Sequence, residues 1–241
     1  MSGHSKWATI KRRKGAIDAN RAKIFTKHGR EISVAVKEAG PDPVSNSKLR
    51  EAINRAKSNN MPNDSILRSI KKAFDEDTNN NYEKIVYEGY GPEGVAIMVE
   101  SLTDNKNRTA GDMRHYFDKY GGNLGQSGCV NFLFKRKGLI LIDKNKNISE
   151  EKIINDIIEC DADDLITFEN YFEITTKPES LENICISLEK LGYDASQSEI
   201  SYIPNSKIKF SEKDSFKKMD KLLEMLESND DVQNFYHNLE D

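Results

Sequence analysis

The chain has 241 residues, a formal net charge of −4, 32% charged and 37% hydrophobic residues. That length predicts two or three domains with buried cores, and the composition fits a soluble protein. No apolar run approaches the roughly 20 residues of a membrane helix, and no apolar stretch follows the basic N-terminus as it would in a secretory signal.

The chain begins with GHSKWATIKRRKG, which carries Lys6, Trp7, Lys11, Arg12, Arg13 and Lys14. The next stretch, DANRAKIFTKHGREISVAVKEAG, reads as one amphipathic helix from Asp18 to Gly40. The Asp18 carboxylate suits an N-cap, Gly40 suits a left-handed stop, and Pro41 and Pro43 forbid continuation. At about 100° per residue, Phe25, Gly29, Ile32, Val36 and Ala39 share one face, and Lys23, Lys27, Arg30 and Lys37 share the opposite one. A second helix is expected over Ser45–Ser58 with Leu49, Ile53 and Ala56 inward. A third starts near Asn63 or Asp64, with Ile66, Leu67, Ile70 and Phe74 inward. Three short helices with brief connections predict a small bundle. The run Asp75–Asn81 has no apolar residue and reads as a linker.

From Tyr82 the period changes to that of strands. Glu83–Tyr90 and Val95–Leu102 are joined by the turn Gly91-Pro92-Glu93-Gly94. A helix follows over Asn105–Tyr120, closed by Gly121 and Gly122, and then a strand over Val130–Phe134. Next come a strand at Leu139–Ile142, a helix at Ser149–Cys160, strands at Leu165–Glu169 and Phe172–Thr176, a helix at Pro178–Leu191 and a strand at Ala195–Ile203. That order, βαββαβ, is the ferredoxin-like one. A helix over Glu212–Ser228, with Phe216, Met219, Leu222, Leu223 and Leu226 inward, and a strand within Val232–Leu239 have no core of their own. They supply what the ββαβ region before residue 136 lacks. The expected fold class is therefore α+β: a basic helical domain at 1–80, a middle α+β domain at 81–136 and 205–241, and a ferredoxin-like domain at 137–204 inserted in it.

Charge divides along the same lines. Residues 1–80 hold 17 basic and nine acidic side chains, a net of +8, so the remainder carries −12. A basic module on an acidic body points to a polyanionic partner. Lys11–Lys14 suits phosphate contact with counterion release, or a solvated tail. Trp7 can stack on a base or pack on the domain surface. Together with Arg21, Lys23, Lys27 and Arg30 they form the expected nucleic-acid-binding set: Lys6, Trp7, Lys11, Arg12, Arg13, Lys14, Arg21, Lys23, Lys27 and Arg30.

No other cluster carries chemistry. Gly121–Gly128 is glycine-rich, but lacks the Lys-Ser/Thr of a P-loop and the GxGxxG pattern, so it reads as a helix cap and turns. Asn105, Asn107, Arg108 and Thr109 open a helix and suit either an anion or simple capping. Asp161, Asp163 and Asp164 lack the calcium-loop pattern. Cys129, Cys160 and Cys185 form neither a disulfide framework nor a CxxC site, and suit a reducing cytosol. No catalytic residue, metal site or cofactor is expected.

The stretches SGHSKWATIKRRKGAIDANRAKIFTK, YEGYGPEGVAIMVESLTDNKNRT, GGNLGQSGCVNFLF and DVQNFYHNLED closely resemble the YebC/PmpR family of probable transcriptional regulatory proteins, collinearly over nearly the whole chain. That family includes the mitochondrial translational activator of cytochrome c oxidase subunit I. The resemblance implies a helical N-terminal domain, two α+β domains with one inserted in the other, a cytoplasmic location, and DNA-binding gene regulation without catalysis. For some members it implies action at the ribosome. Cys129 stands where the family pattern suggests a small residue such as Ser. DNA and ribosomal RNA remain alternative partners, because neither a helix-turn-helix recognition helix nor an RNP aromatic motif is present. A third alternative is a protein-interaction module built on the acidic domains.

Overall fold

In the computed structural model, the described residues are 17–75, 82–144 and 148–240, with side chains from residue 22 onward. The chain forms two compact units: Met1–Asn131 with Lys207–Asp241, and Phe132–Ser206. In chain order the first unit contributes α1 (Ile17–Ala39), α2 (Ser47–Ser58), α3 (Asn63–Asp75), β1 (Glu83–Tyr90), β2 (Ala96–Thr103), α4 (Lys106–Lys119) and β3 (Asn123–Leu124). The second unit follows with β4 (Phe134–Asp143), α5 (Glu150–Glu159), β5 (Asp164–Thr167), β6 (Tyr171–Thr176), α6 (Leu181–Lys190) and β7 (Ala195–Pro204). The chain then returns to the first unit with α7 (Lys213–Ser228) and β8 (Val232–His237).

The first three helices enclose Ile32, Val36, Leu49, Ala52, Ala56, Met61 and Ile66. Helix α1 begins at Ile17, so Asp18 lies within its first turn rather than ahead of it. It ends where expected: Gly40 has φ +88°, and its N–H donates to the Val36 carbonyl at 2.7 Å. Asn46 then ties two helices together. Its side-chain oxygen accepts from Leu49 N–H at 3.0 Å, and its amide donates to the carbonyls of Ala35 and Gly40 at 2.7 and 2.8 Å. One buried amide thus caps the start of α2 and satisfies end carbonyls of α1. Two residues depart from the expected packing. Leu67 and Phe74 point to solvent, and the inner face of α3 is instead formed by Ile66, with Ile70 and Ala73 packed beside it.

The first sheet has the order β3-β1-β2-β8, antiparallel throughout. One face is covered by α4 and α7, where Met113, Phe117, Met219, Leu222 and Leu226 meet Val95, Ile97, Val99, Val232 and Phe235. The C-terminal helix and strand therefore complete the middle domain. Phe216 is the exception in α7. It is half-exposed and meets Phe210 edge-on, with ring centres 4.9 Å apart.

The expected strand at Val130–Phe134 is not formed. Asn131–Leu133 is a 3-10 turn, and Phe134 opens β4. The reason is a carboxylate. Glu88, buried on β1, accepts the N–H groups of Gly128, Val130 and Asn131, each at 2.8 Å. Those amides are unavailable to a strand ladder. The glycine-rich loop ahead of them is a cap and a turn: Gly121 has φ +80°, and Gly122 N–H donates to the Phe117 carbonyl at 2.8 Å. A Cβ at Gly122 would lie 2.4 Å from the Tyr90 carbonyl oxygen, so the loop lies flat on β1 only because that residue has no side chain.

The second unit is ferredoxin-like. Its sheet runs β5-β6-β4-β7, all antiparallel, and α5 and α6 cover one face. Ile140, Ile142, Ile153, Ile157, Phe172, Ile174, Ile184 and Leu188 form its core. Asp161 has φ +58° just past α5, and Asp163 accepts from Lys137 at 3.0 Å. Among the described residues, no helix is long and apolar enough to cross a membrane.

Candidate nucleic-acid interface

Of the expected contact residues, Lys6, Trp7, Lys11, Arg12, Arg13, Lys14 and the side chain of Arg21 lie outside the described residues. The other three, Lys23, Lys27 and Arg30, occupy one ridge of α1, at positions i, i+4 and i+7. They do not share that ridge with open solvent alone. Lys23 Nζ donates to the Ser228 carbonyl at 3.3 Å and Lys27 Nζ to the Glu227 carbonyl at 3.1 Å. These are carbonyls at the C-terminal end of α7, which lack partners within their own helix and carry the negative end of its dipole. Helix α7 has no basic residue in its own last turn. The cations come from α1 instead.

Arg30 goes further in. Its Nη1 donates to Asp231 Oδ1 at 2.6 Å and to the Asp230 carbonyl at 2.7 Å, and the Leu102 carbonyl lies 3.4 Å away. Its guanidinium carbon sits 5.5 Å from the centre of the Tyr82 ring. The Arg30 side chain is only 16% exposed and that of Asp231 only 5%. The expected division of α1 into a packing face and a free basic face is therefore corrected at Arg30, which holds the helical domain to the middle one.

Asp231 is the centre of this cluster. Its other carboxylate oxygen lies 2.8 Å from Arg108 Nη2, 2.7 Å from the Thr109 hydroxyl and 3.1 Å from the Thr103 hydroxyl. Its own N–H donates to the Asn229 side chain at 2.8 Å. Burial alone would raise the pKa of this carboxyl. Hydrogen bonds from Arg108, Thr109 and Arg30 outweigh that and hold it below the ordinary value. Arg108 also bonds Asp104 at 2.7 Å, and Asn105 caps α4 by accepting from Arg108 N–H at 3.1 Å. The start of α4 does meet an anion, but that anion belongs to the chain itself. The sequence offered little sign of Asp231. It stands in SNDDVQ, which reads as a solvated turn.

Other exposed cations of the helical domain include Lys57 on α2 and Arg68, Lys71 and Lys72 on α3. Among the described residues, no group of three or more His, Cys, Asp or Glu side chains could hold a metal ion.

Two family models match the chain. Residues 5–76 match the TACO1/YebC protein N-terminal domain, and residues 82–239 match the TACO1/YebC second and third domain. A probable transcriptional regulatory protein of Ruminiclostridium cellulolyticum is 54% identical over 240 residues, covering 100% of this chain and 97% of the relative. One from Acetivibrio thermocellus is 50% identical over 238 residues, covering 99% of this chain and 98% of the relative. The crystal structure of a conserved hypothetical protein of Aquifex aeolicus superposes with a TM-score of 0.81 at 44% identity, covering 92% of this chain and 91% of that one. With both models matched in order along the chain and half its residues shared with full-length relatives, the chain belongs to the TACO1/YebC family.

Proposed function

We propose that this chain is a regulator of gene expression that binds nucleic acid through its basic N-terminal region, with DNA as the target and transcription as the process. The observation that carries this is the charge split: 17 basic against nine acidic residues in the first 80 of a chain whose net charge is −4. The name of the relatives, probable transcriptional regulatory protein, supports the same reading. Lys6, Trp7, Lys11, Arg12, Arg13, Lys14 and Arg21 are the proposed contacts, with Lys57, Arg68, Lys71 and Lys72 extending the cationic surface. Lys23 and Lys27 contribute charge from the rim of the α1–α7 contact, and Arg30 acts as an anchor. The proposed location is the cytoplasm, and no step of this role requires catalysis.

Phosphate contacts position a protein without reading sequence, and base readout needs side chains aimed at groove edges. No described helix displays such a set, so discrimination between sequences should be weak. The alternative target with the same phosphate chemistry is ribosomal RNA. A filter-binding series on a promoter fragment, a scrambled duplex and purified ribosomes at rising salt tests both. Affinity should fall steeply with salt on every target. Preference for the promoter over the scrambled duplex by more than about a hundredfold, about 2.7 kcal/mol, would overturn weak readout. Tighter, salt-resistant binding to ribosomes would move the role to translation. Salt-independent behaviour with no nucleic-acid affinity would leave the acidic domains as a protein-interaction module.

A further inference from the structure

We propose that the outward ridge of α3, formed by Leu67, Lys71 and Phe74, is a binding site for unpaired bases of a nucleic-acid strand. This rests on the reading of the chain as a nucleic-acid binder and names the part of the ligand that this helix takes.

The ridge follows from helical spacing. Residues 67, 71 and 74 are separated by four and three positions and line up on one side, with half-buried Ile70 at the ridge's edge and Ile66 and Ala73 further round toward the core. Leu67 is 62% exposed and Phe74 is 64% exposed, on a helix whose Ile66 is 3% exposed. The helix carries five apolar side chains on 13 residues, and the two left exposed share this ridge. Large apolar groups held in water on one surface mark a binding site more often than chance placement.

The charge around the ridge selects the occupant. Lys71 lies within it, Arg68 follows Leu67 and Lys72 follows Lys71, while Phe74 stands between Ala73 and Asp75. The acids of the helix, Asp64 and Asp75, sit at its two ends. A ligand for this surface must carry negative charge closely coupled to flat apolar faces. Bases on a phosphate backbone do, and stacking on aromatic and apolar side chains tolerates any sequence because every base has such a face. The bases must be unpaired, since in a duplex those faces are hidden in the stack. Leu67 and Phe74 are about 10 Å apart along the helix axis, enough to receive separate bases of an extended strand.

The test compares the full chain with a Leu67→Ala/Phe74→Ala variant by fluorescence anisotropy, with circular dichroism as the check on folding. The probes are a labelled single strand of about 15 nucleotides, in ribo and deoxyribo forms, and a mixed-sequence DNA duplex, each at several salt concentrations. Single-strand affinity should drop about tenfold in the variant. Duplex affinity should hold, and the salt slope should hold on all probes, because apolar contacts release no counterions. A larger loss on the ribo form than on the deoxy form would identify RNA as the source of the bases, and the reverse would identify DNA. If the parent binds single strands and the variant binds them equally well, the ridge proposal falls while nucleic-acid binding stands. If the parent binds no probe, both fall. If the variant alters only self-association in sedimentation, the ridge contacts a second copy of the chain and the proposal is overturned.

Discussion

Helices α1 and α3 lie in one small bundle and treat their outer faces in opposite ways. Helix α1 carries a ridge of cations, and that ridge is turned toward the chain's own carbonyls and a buried carboxylate. Helix α3 carries a ridge of apolar groups, and that ridge is left in water. Polarity on a helical wheel states what a face is made of and not what it meets. A cation is not thereby a free surface, and a leucine is not thereby a core residue.

The comparison can be broken most severely from inside. Ile32, fully buried on the inner face of α1, should not tolerate a charge. Ile32→Asp should unfold the helical domain, at a cost of several kcal/mol for an unpaired buried carboxylate, roughly the upper part of the range for buried polar groups. Urea unfolding with a cooperative transition near that of the parent would contradict it. Next in size is the outer face. Asp231→Ala removes the acceptor shared by Arg30 and Arg108 and should cost about 3 kcal/mol, because breaking a buried pair leaves its partner uncompensated. A loss under about 1 kcal/mol would show that the α1 contact is ordinary surface pairing.

Acid should sharpen the same point. The Asp231 carboxyl has a pKa below its ordinary 3.8 in the folded chain. A depressed carboxyl contributes stability that is present above the unfolded value and is lost as pH falls through the folded one. The gap in stability between the parent and Asp231→Ala should therefore be constant near neutrality and close below about pH 4. A gap that widened in acid would reverse the sign. A smaller effect of the same kind belongs to Glu93, which has a left-handed φ of +51° and accepts from Ser211 N–H at 3.1 Å and the Ser211 hydroxyl at 2.9 Å ahead of α7. A hydrogen bond from the Ser215 side chain, followed by that from the Ser211 amide, lowers its pKa from 4.5 to about 2. The melting temperature of Glu93→Gln should lie below that of the parent at pH 6, and the two should converge as pH drops from about 4.5 through about 2. Smallest of all, Leu67→Ala/Phe74→Ala should change stability by no more than about 0.5 kcal/mol per site, as exposed substitutions do. A large loss would mean the ridge is structural after all.

Periodicity made most of the fold legible. The switch from a period near 3.6 to one near 2 at Tyr82, the glycine stops at Gly40 and Gly121, and the βαββαβ order all depend on short-range chemistry. The failures depend on partners far away in sequence. Glu88 looks like a solvent position on an alternating strand, yet its carboxylate is filled by amides from residues 128–131. Nothing near Val130 says that its N–H is already taken. The same holds for the site. The basic composition of the first 80 residues was plain, but the commitment of Arg30 to Asp231, two hundred positions away, was not. Leu67 and Phe74 were misplaced for a third reason. Helix α3 is apolar over more of its circumference than its two neighbours cover, and a wheel does not say which residues lose.

The inserted unit has a consequence for how the protein is made. Phe134 pairs with Pro204, and Asn205 N–H donates to the Leu133 carbonyl at 2.8 Å, so the chain enters and leaves that unit side by side. Once folded, it turns a long excursion into a short link and lowers the entropic cost of bringing β8 onto β2. Domains emerging from synthesis fold in order from the N-terminus. Helix α1 is among the first elements to emerge, yet Glu227, Ser228, Asp230 and Asp231, which receive its cations, are among the last. Until residues 227–231 have emerged, the contacts that Lys23, Lys27 and Arg30 make with them cannot form. A chain lacking Asp230 and Asp231 would therefore offer polyanions the Arg30 guanidinium, which the folded protein keeps for itself.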